Sequence, residues 1–460
     1  MNKTLLSLML ASTAILPVSG ETLTLEQCRR LARENNKELR MADSERQAAY
    51  WTRKSAFTNY LPKISAEGGY AFTSKPISLL NDDQKSTLGH MGDIAAGVAN
   101  QLPIPLGGLL QEPLNAVGQK VIDAFDSDTR NSALIAVTLT QPVYMGGKIR
   151  AYNKIAALAE EAAGHKMDLA EQNLMVEVDE TYWQIVSLES KLKLAQAYYE
   201  VVSDLDKNVD AMIREGVATK ADGLSVKVKV NQANVTVIQA TNGVALLKML
   251  LCQLCGLDEN SDIELVDEPM EEEIDLTADV NRPELAALEN LSAIGKQKIN
   301  IARSETLPNI ALMGGYSWIY PSLFNGFEKK FTGLWNVGVV VKIPLVTWGD
   351  RFYKVKAAKA QSVVDELRLE ETREKINLQI SQSRQKVMEA QQSLDASKSA
   401  VEAADENLRF AQLGLKEGVI PVINVNEAQT AWLAAHSQLI SSQIDLKLAQ
   451  LHLKKALGQM

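Results

Sequence analysis

The sequence is poor in cysteine, in histidine and in aromatic residues. It has three cysteines and four histidines in 460 residues, and aromatic residues make up 5 %. Three cysteines are too few for a disulfide framework, even in an exported protein. Cys252 and Cys255 form a lone CxxC in an apolar helical run, and no second pair or nearby histidine completes a set of metal ligands. They are therefore predicted to be small core residues. No metal and no cofactor is expected.

No catalytic group of residues is visible either. The histidines lie far apart in the sequence without ligand partners, at His90, His165, His436 and His452. Serine, aspartate and glutamate residues occur on predicted helical faces, so we expect no enzymatic activity. The formal net charge of −9 argues against nucleic acid as a partner.

The first twenty residues have the pattern of a secretory signal. Lys3 supplies the positive start, residues 5–16 the apolar core, and Val18-Ser19-Gly20 a small-residue cleavage site. No cysteine stands at the predicted mature start, and the residues before Cys28 lack a small apolar lead-in, so no lipid anchor is expected. Beyond residue 20 no apolar run reaches the roughly 20 residues of a spanning helix. Any membrane crossing is therefore predicted to use strands.

Proline is absent from residues 148–256, where apolar residues recur at helical spacing. Four of them stand seven residues apart, namely Val178, Ile185, Leu192 and Tyr199. The only break is the stretch from Arg214 to Thr219. This pattern predicts a helix of about 65 residues, a tight turn and a returning helix, both supercoiled against neighbours.

The chain repeats itself. Leu61-Pro62 and the residues that follow return at Leu307-Pro308, 246 residues later. Glu215-Gly216-Val217 returns as Glu417-Gly418-Val419, 202 residues later. Two homologous halves are therefore predicted, and the first carries 44 extra residues within 74–130. That segment is predicted to be an enlarged, largely irregular surface loop with a short helix at 114–125. The valine-rich return arm in the first half is predicted to be helical because it matches 424–457.

Two pairs of segments alternate in polarity as strands do. They are residues 62–73 with 132–144, and 308–319 with 333–346. Each is about 10 residues, the length that crosses a hydrocarbon layer when tilted, although strands of a soluble sandwich would alternate in the same way. Four aromatic residues cluster at one strand end as an interfacial girdle would, namely Tyr70, Phe72, Tyr316 and Trp318. They are predicted to contact lipid at the membrane interface.

The ordered set of signal, two halves, Leu-Pro before a strand and Glu-Gly-Val at each turn resembles the TolC-like outer-membrane efflux protein family. The resemblance covers essentially the whole mature sequence. It implies an α+β membrane protein and a homotrimer. Four strands per chain would form a twelve-stranded barrel in the outer membrane, and coiled-coil hairpins would form an α-helical barrel in the periplasm. The implied organisation is a signal at 1–20, a first repeat at 21–256 with its hairpin at 148–256, an equatorial linker at 257–281, and a second repeat at 282–460 with its hairpin at 350–458.

The family resemblance also implies a function for the hairpin tips. The protein would be a passive exit duct of a tripartite efflux pump or type I secretion system, joined to a periplasmic adaptor and an inner-membrane transporter. Four residues match the adaptor-docking motif, namely Gly216, Val217, Gly418 and Val419. Three residues stand at the periplasmic constriction of the pore, namely Asp222, Asn424 and Glu427.

The second tip departs from the family pattern, because Asn424 stands where an aspartate is common and Ile420 where an arginine can stand. A purely structural alternative also exists for both tips. The glycines would only end helices, and Asp222 and Asn424 would only cap the next ones.

Two other classes of function compete with the duct. A secreted coiled-coil scaffold or adhesin without channel activity would use its strands in a soluble sandwich, and dependence on detergent for extraction separates the two. An enzyme anchored by helices is the third, and the lack of a polar catalytic cluster argues against it.

Overall fold

The computed structural model describes residues 22–75, 80–100, 107–125, 130–267, 280, 282–322, 324 and 329–460. The predicted signal and most of the predicted linker lie outside the described residues. The elements in chain order are β1 (Thr22–Leu23), α1 (Leu25–Asn35), α2 (Lys37–Phe57), a 3-10 turn (Thr58–Tyr60), β2 (Lys63–Phe72), α3 (Asp82–Gly89), α4 (Met91–Ala99), α5 (Gly107–Phe125), β3 (Asn131–Met145), α6 (Lys148–Arg214), α7 (Lys220–Cys255), β4 (Glu264–Leu265), α8 (Pro283–Ser304), β5 (Asn309–Tyr320), β6 (Thr332–Lys342), α9 (Asp350–Lys416) and α10 (Val422–Leu457).

The long helices occupy the predicted hairpins. The outgoing helices α6 and α9 have 67 residues each, and the returning helices α7 and α10 have 36 each. The valine-rich return arm is helical, as its match to the second half predicted. The chain forms two compact units, one of residues 1–51, 157–295 and 361–460 and one of residues 52–156 and 296–360.

The first unit has an apolar core around Tyr182 and Trp183 of α6. Cys252 and Cys255 are fully buried in it, which confirms the prediction that they are core residues. Tyr182 Oη donates to the carbonyl of Leu23 at 3.3 Å and also to that of Val266. It thereby contacts the C-terminal end of both strands of the small parallel pair β1–β4.

One predicted helix is interrupted. The pattern from residue 26 to 59 predicts a single helix, but the chain is extended at Asn36, with φ −63° and ψ 131°, between α1 and α2. Asn36 Oδ1 accepts hydrogen bonds from the N–H groups of Glu38 and Leu39, at 2.8 and 3.3 Å, and so caps α2. An asparagine that bonds its own neighbouring backbone competes with the helix, which explains the break.

The second unit contains a four-stranded antiparallel sheet in the order β2-β3-β5-β6. The described strand bounds agree with the predicted segments to within a few residues. A bulge between Pro142 and Tyr144 shifts the register near the end of β3. Strands β2 and β6 are the edges, and neither has a partner strand on its outer side among the described residues.

The first-half insertion is more helical than its composition predicts. Three helices, α3, α4 and α5, stand where one short helix at 114–125 is predicted. Helix α5 begins at Gly107 and continues through Pro113, whereas the predicted helix starts at residue 114. The tertiary contacts of these helices, described below, account for the difference.

The expectation that no helix could span a membrane also needs correction. Within the described residues, one helix, α7, is long and apolar enough to do so by length and composition, with a mean hydropathy of 1.5 in its most apolar stretch. Only 22 % of that stretch is buried. The expectation rests on unbroken apolar runs in the sequence. In α7 the valines and leucines are interspersed with uncharged asparagine, threonine and glutamine, so the helix is apolar on average without such a run.

Candidate functional site

The turn between α6 and α7 is a left-handed helix end. Gly216 has φ +76°, and its N–H donates to the carbonyl of Ile213 at 3.1 Å. The N–H of Val217 donates to the carbonyl of Met212 at 2.9 Å. This pair of bonds is the Schellman arrangement, which favours glycine because a Cβ is strained at positive φ.

The turn between α9 and α10 has the same geometry. Gly418 has φ +74°, its N–H donates to the carbonyl of Leu415 at 3.0 Å, and the N–H of Val419 donates to that of Gly414 at 2.8 Å. Ile420 lies directly over Gly414, where an added Cβ would come within 2.5 Å of its side chain. Ile420 is therefore a packing residue of this turn.

Helix termination explains the two glycines but not the valines that follow them. The side chain of Val217 is 71 % exposed and that of Val419 is 78 % exposed. Both valines contribute their N–H groups to the turn, which any residue other than proline could do. An exposed apolar side chain repeated at both tips is a surface suited to contact with another protein.

Asp222 has a clear structural role at the first tip. It is the third residue of α7 and forms a capping box with Thr219: its Oδ2 accepts from the Thr219 N–H at 2.9 Å, and its own N–H donates to Thr219 Oγ1 at 3.2 Å. These hydrogen bonds from the side chain and backbone of Thr219 hold the pKa of the Asp222 carboxyl below its usual value. The carboxylate is therefore both a cap and a negative charge at the tip.

Asn424 does not repeat that role. It is the third residue of α10, but the residue at the cap position is Pro421, which has no N–H to donate and makes no side-chain cap. Asn424 and Glu427 are both exposed. The second tip thus has a neutral residue where the first has a capping carboxylate, and its acidic side chain stands one turn further along the helix.

Two buried polar residues near the tips were not singled out from the sequence. Asn426 and Gln429 of α10 are 4 % and 2 % exposed. Asn426 Nδ2 donates to Ser225 Oγ of α7 at 3.3 Å, whereas Asn426 Oδ1 and Gln429 Oε1 have no hydrogen-bond partner among the described residues. A helical pattern that treats all polar residues as surface residues cannot find such positions.

The pairing registers of the sheet place the four predicted aromatic residues on one face. Tyr70 of β2 lies opposite Ala133 of β3. Tyr316 and Trp318 of β5 lie opposite Val137 and Ile135, which share the face of Ala133 because they are four and two residues away from it in β3. Phe72, two residues after Tyr70, shares its face. The rings of Tyr316 and Trp318 are 4.5 Å apart.

The two faces of the sheet differ in polarity. The face with the aromatic residues also carries Ile64, Ile135, Val137, Leu312, Val337, Val339 and Val341. The opposite face carries Lys63, Ser65, Glu67, Thr138, Asn309 and Asn336, and there Ser65 Oγ and Thr138 Oγ1 are 2.8 Å apart. The alternation that the sequence predicted is therefore in register across all four strands.

Across the part of the chain that the structure describes, no three His, Cys, Asp or Glu side chains are placed to hold a metal ion. His436 instead contacts Asp405, whose Oδ1 also accepts from the indole N–H of Trp432 at 2.7 Å. These contacts join α9 to α10.

Comparison with known proteins gives the family. The sequence model of the "Outer membrane efflux protein" family matches residues 29–256 and 277–459. The chain belongs to the outer membrane efflux protein family. It is therefore grouped with outer-membrane transport proteins of the TolC-like type, and its long helical hairpins and antiparallel sheet fit that family.

Individual relatives are distant in sequence. The outer membrane protein TolC of Vibrio cholerae serotype O1 is 25 % identical over 171 residues, which are 36 % of this chain and 39 % of that protein. The match therefore spans less than half of TolC. The outer membrane efflux protein BepC of Brucella suis biovar 1 is 20 % identical over 349 residues, 73 % of this chain and 74 % of that protein.

The fold is shared more widely than the sequence. The crystal structure of the outer membrane protein VceC from Vibrio cholerae matches with a TM-score of 0.73 at 16 % identity. The match covers 94 % of this chain and 96 % of that chain. Nearly every described element therefore has a counterpart in a solved outer-membrane protein.

Proposed function

We propose that the protein is a trimeric exit duct in the outer membrane, serving a tripartite efflux pump or a type I secretion system. The observation that carries the proposal is the four-stranded sheet with one apolar face and two open edges. In lipid an unpaired edge is not tolerated, and known spanning barrels start at about 8 strands. Three copies would supply twelve strands and close the edges β2 and β6 against each other.

An exposed stripe on α7 supports association between copies. Large apolar side chains recur along it at separations of 4, 7, 3 and 11 residues, which keep them on one side of the helix, as in a coiled-coil seam. They are Leu224, Val228, Val235, Ile238 and Met249, and all are exposed. In the proposed trimer this seam packs against a helix of the next copy, which accounts for an apolar helix that is mostly uncovered in one chain.

A shared contact supports the proposal that the two halves are copies, with repeats at 21–256 and 282–460. Asn36 Nδ2 donates to the carbonyl of Leu254 at 3.2 Å. Arg282 Nη1 donates to the carbonyl of Ala456 at 3.1 Å. The residues correspond under the offsets of 246 and 202 residues, so each half anchors the start of a helix to the end of its returning helix.

The hairpin tips are the proposed docking site. Gly216 and Gly418 shape the turns, and Val217 and Val419 form the exposed apolar surface that a periplasmic adaptor would contact. Asp222 and Glu427 would bring negative charge to the periplasmic mouth of the pore, with Asn424 as a neutral third member. The duct itself is passive in this proposal, and the inner-membrane transporter supplies the energy.

Conductance and mass test the proposal together. Purified protein in planar bilayers is expected to form ion-conducting channels, and native mass measurement in detergent is expected to give three times the mass of one chain. Protein that extracts from cells without detergent and forms no channels would instead support the scaffold or adhesin interpretation.

Docking has its own test, in which Val419→Asp is preferable to any change at Gly418. A side chain at Gly418 would strain the left-handed backbone, whereas the Val419 side chain is 78 % exposed. We expect Val419→Asp to abolish export in cells and leave trimer and conductance unchanged. Phe410→Asp, also at an exposed position of α9, is the control and should still export. Normal export by Val419→Asp would refute docking at this tip.

A further inference from the structure

The insertion helices α3, α4 and α5 approach one another closely at glycines, and Ile122 of α5 is also buried. A Cβ at Gly92 of α4 would lie 2.0 Å from the carbonyl oxygen of Gln111, and a Cβ at Gly118 of α5 would lie 1.8 Å from that of Leu88. At these two positions the helices are so close that only a residue without a side chain fits. The interior of the insertion therefore includes close backbone contacts at Gly92 and Gly118.

Polar side chains complete that interior. Asp93 Oδ1 accepts from Gln111 Nε2 at 2.9 Å and from Asn115 Nδ2 at 2.8 Å, while Asn115 Oδ1 accepts from the Gly92 N–H at 2.6 Å. The hydrogen bonds from Gln111 and Asn115 hold the pKa of the Asp93 carboxyl below its usual value. Helices α4 and α5 are thus joined by a polar network.

Other large apolar side chains of α4 and α5 are exposed, on two separate faces. The back of α4 carries Ile94 and Val98, which are 56 % and 66 % exposed. A stripe along α5 carries Leu110 and Val117, which are 43 % and 49 % exposed. The polar outer face of α5, with Glu112, Gln119 and Asp123, lies on a different side of that helix.

We propose that these two apolar faces bind a second copy of this chain, with the α4 face of one insertion seated on the α5 stripe of the next. The inference rests on the proposed trimer. In a ring of three copies, each copy turns one face to one neighbour and a different face to the other. Two distinct apolar faces on one small unit are what such a ring requires.

The position of the insertion in the chain favours the same partner. It follows β2, an edge strand that needs the β6 edge of another copy to be satisfied in lipid. Pairing at that edge would bring the insertions of neighbouring copies together at high effective concentration. The proposed contact is therefore continuous with the proposed interface between sheets.

The charge of the insertion argues against a lipid surface as the occupant. Helices that lie on membranes carry lysine and arginine on their polar faces. Helices α3, α4 and α5 have two lysines, Lys85 and Lys120, against five carboxylates, namely Asp82, Asp83, Asp93, Glu112 and Asp123. The carboxylates oppose adsorption to an anionic membrane, and Asp93 among them is held by its hydrogen bonds to Gln111 and Asn115.

Cysteine cross-linking of the full-length protein in outer membranes tests the contact. The natural cysteines are fully buried, so introduced thiols dominate the reaction. We expect Val98→Cys combined with Val117→Cys to give covalent trimers, about three times the mass of one chain, with a short bis-maleimide. Val98→Cys combined with Gln119→Cys, on the polar face of α5, should stay monomeric on a denaturing gel, as should each single variant.

Two readouts separate the failure of this inference from failure of the proposed function. If the native mass is a trimer but Val98→Cys/Val117→Cys gives no covalent trimer, the contact between insertions is wrong and the duct stands. A native monomer would overturn both. A bimane fluorophore attached to Val98→Cys should be protected from quenching by both nitroxide lipids and iodide. Quenching by nitroxide lipids would assign the α4 face to the bilayer and overturn the proposal.

Discussion

Asp222 contributes a helix cap and a charge, and single substitutions can separate the two. Asp222→Asn keeps an oxygen that accepts from the Thr219 N–H but removes the charge, so we expect lower cation selectivity with hairpin stability nearly unchanged. Thr219→Ala removes the capping side chain and keeps the charge, and should cost about 1 kcal/mol of stability without altering selectivity.

Reversal potentials in a salt gradient report the selectivity of each variant, and hydrogen exchange at the start of α7 reports the cap. Unaltered selectivity in Asp222→Asn would show that this carboxylate does not face the permeating ions. A loss of exchange protection in Asp222→Asn equal to that in Thr219→Ala would show that the cap needs the charge.

A second residue-scale prediction concerns the ion pair between α1 and α6. Asp179 is 1 % exposed and binds Arg29 through both oxygens, at 2.8 Å to Nε and 2.6 Å to Nη2. The hydrogen bonds and charge of Asp179 raise the pKa of the Arg29 guanidinium, so that group stays charged. Removing one partner of a buried pair typically costs about 3–5 kcal/mol, and we expect Asp179→Ala to destabilise the protein by that amount.

The matched control is Glu171→Ala. Glu171 pairs with Arg33 at 2.7 Å between the same two helices, but the side chains of Arg33 and Glu171 are 53 % and 36 % exposed. Exposed pairs contribute about 0–1 kcal/mol, so denaturant unfolding should hardly change. Equal losses in the two variants would contradict the importance assigned to burial.

At the scale of elements, the sheet makes a sharp prediction because neighbouring residues of one strand face opposite sides. Val337 is the central residue of β6 and lies on the apolar face, whereas Asn336 lies on the polar face. We expect Val337→Arg to cost about 2–4 kcal/mol, the penalty for a cation on the lipid side near the bilayer midplane. Asn336→Arg should fold normally and change conductance instead.

Folding into lipid vesicles at several urea concentrations measures both variants. If Val337→Arg folds as well as Asn336→Arg, the apolar face does not contact lipid, and the sheet is covered by protein in some other way.

At the scale of the whole molecule, the prediction concerns orientation. The insertion should lie outside the cell and the hairpin tips in the periplasm. We expect Asp83→Cys, on exposed α3, to react with a membrane-impermeant maleimide on intact cells. Val217→Cys, at an exposed tip, should react only after the outer membrane is opened.

The same labelling defines the contrary result. Labelling of Asp83→Cys only after the membrane is opened would place the insertion on the periplasmic side. The proposed contact between insertions and the topology of the strands would then both need revision.

Local pattern was enough to determine most of the elements of this protein. The alternation of the strands, the seven-residue repeat of the long helices and the Glu-Gly-Val turns depend on residues that are close together in the sequence. They can therefore be recognised from a short stretch of sequence alone. The offsets of 246 and 202 residues relate the two halves, and the ordered motifs indicate the family from the sequence alone.

Only the tertiary structure decided the features that depend on residues distant in sequence. The break at Asn36 is stabilised by a bond to Leu254, 218 positions away. The helical insertion depends on glycines that meet the backbone of other helices, so its composition alone indicated a loop. From the sequence, the buried Asn426 and Gln429 are predicted to be surface residues, because the burial of a polar side chain depends on which helix packs against it. Whether Asp222 caps a helix was open in the sequence, since capping depends on the φ and ψ of Thr219, which the amino-acid types alone do not specify.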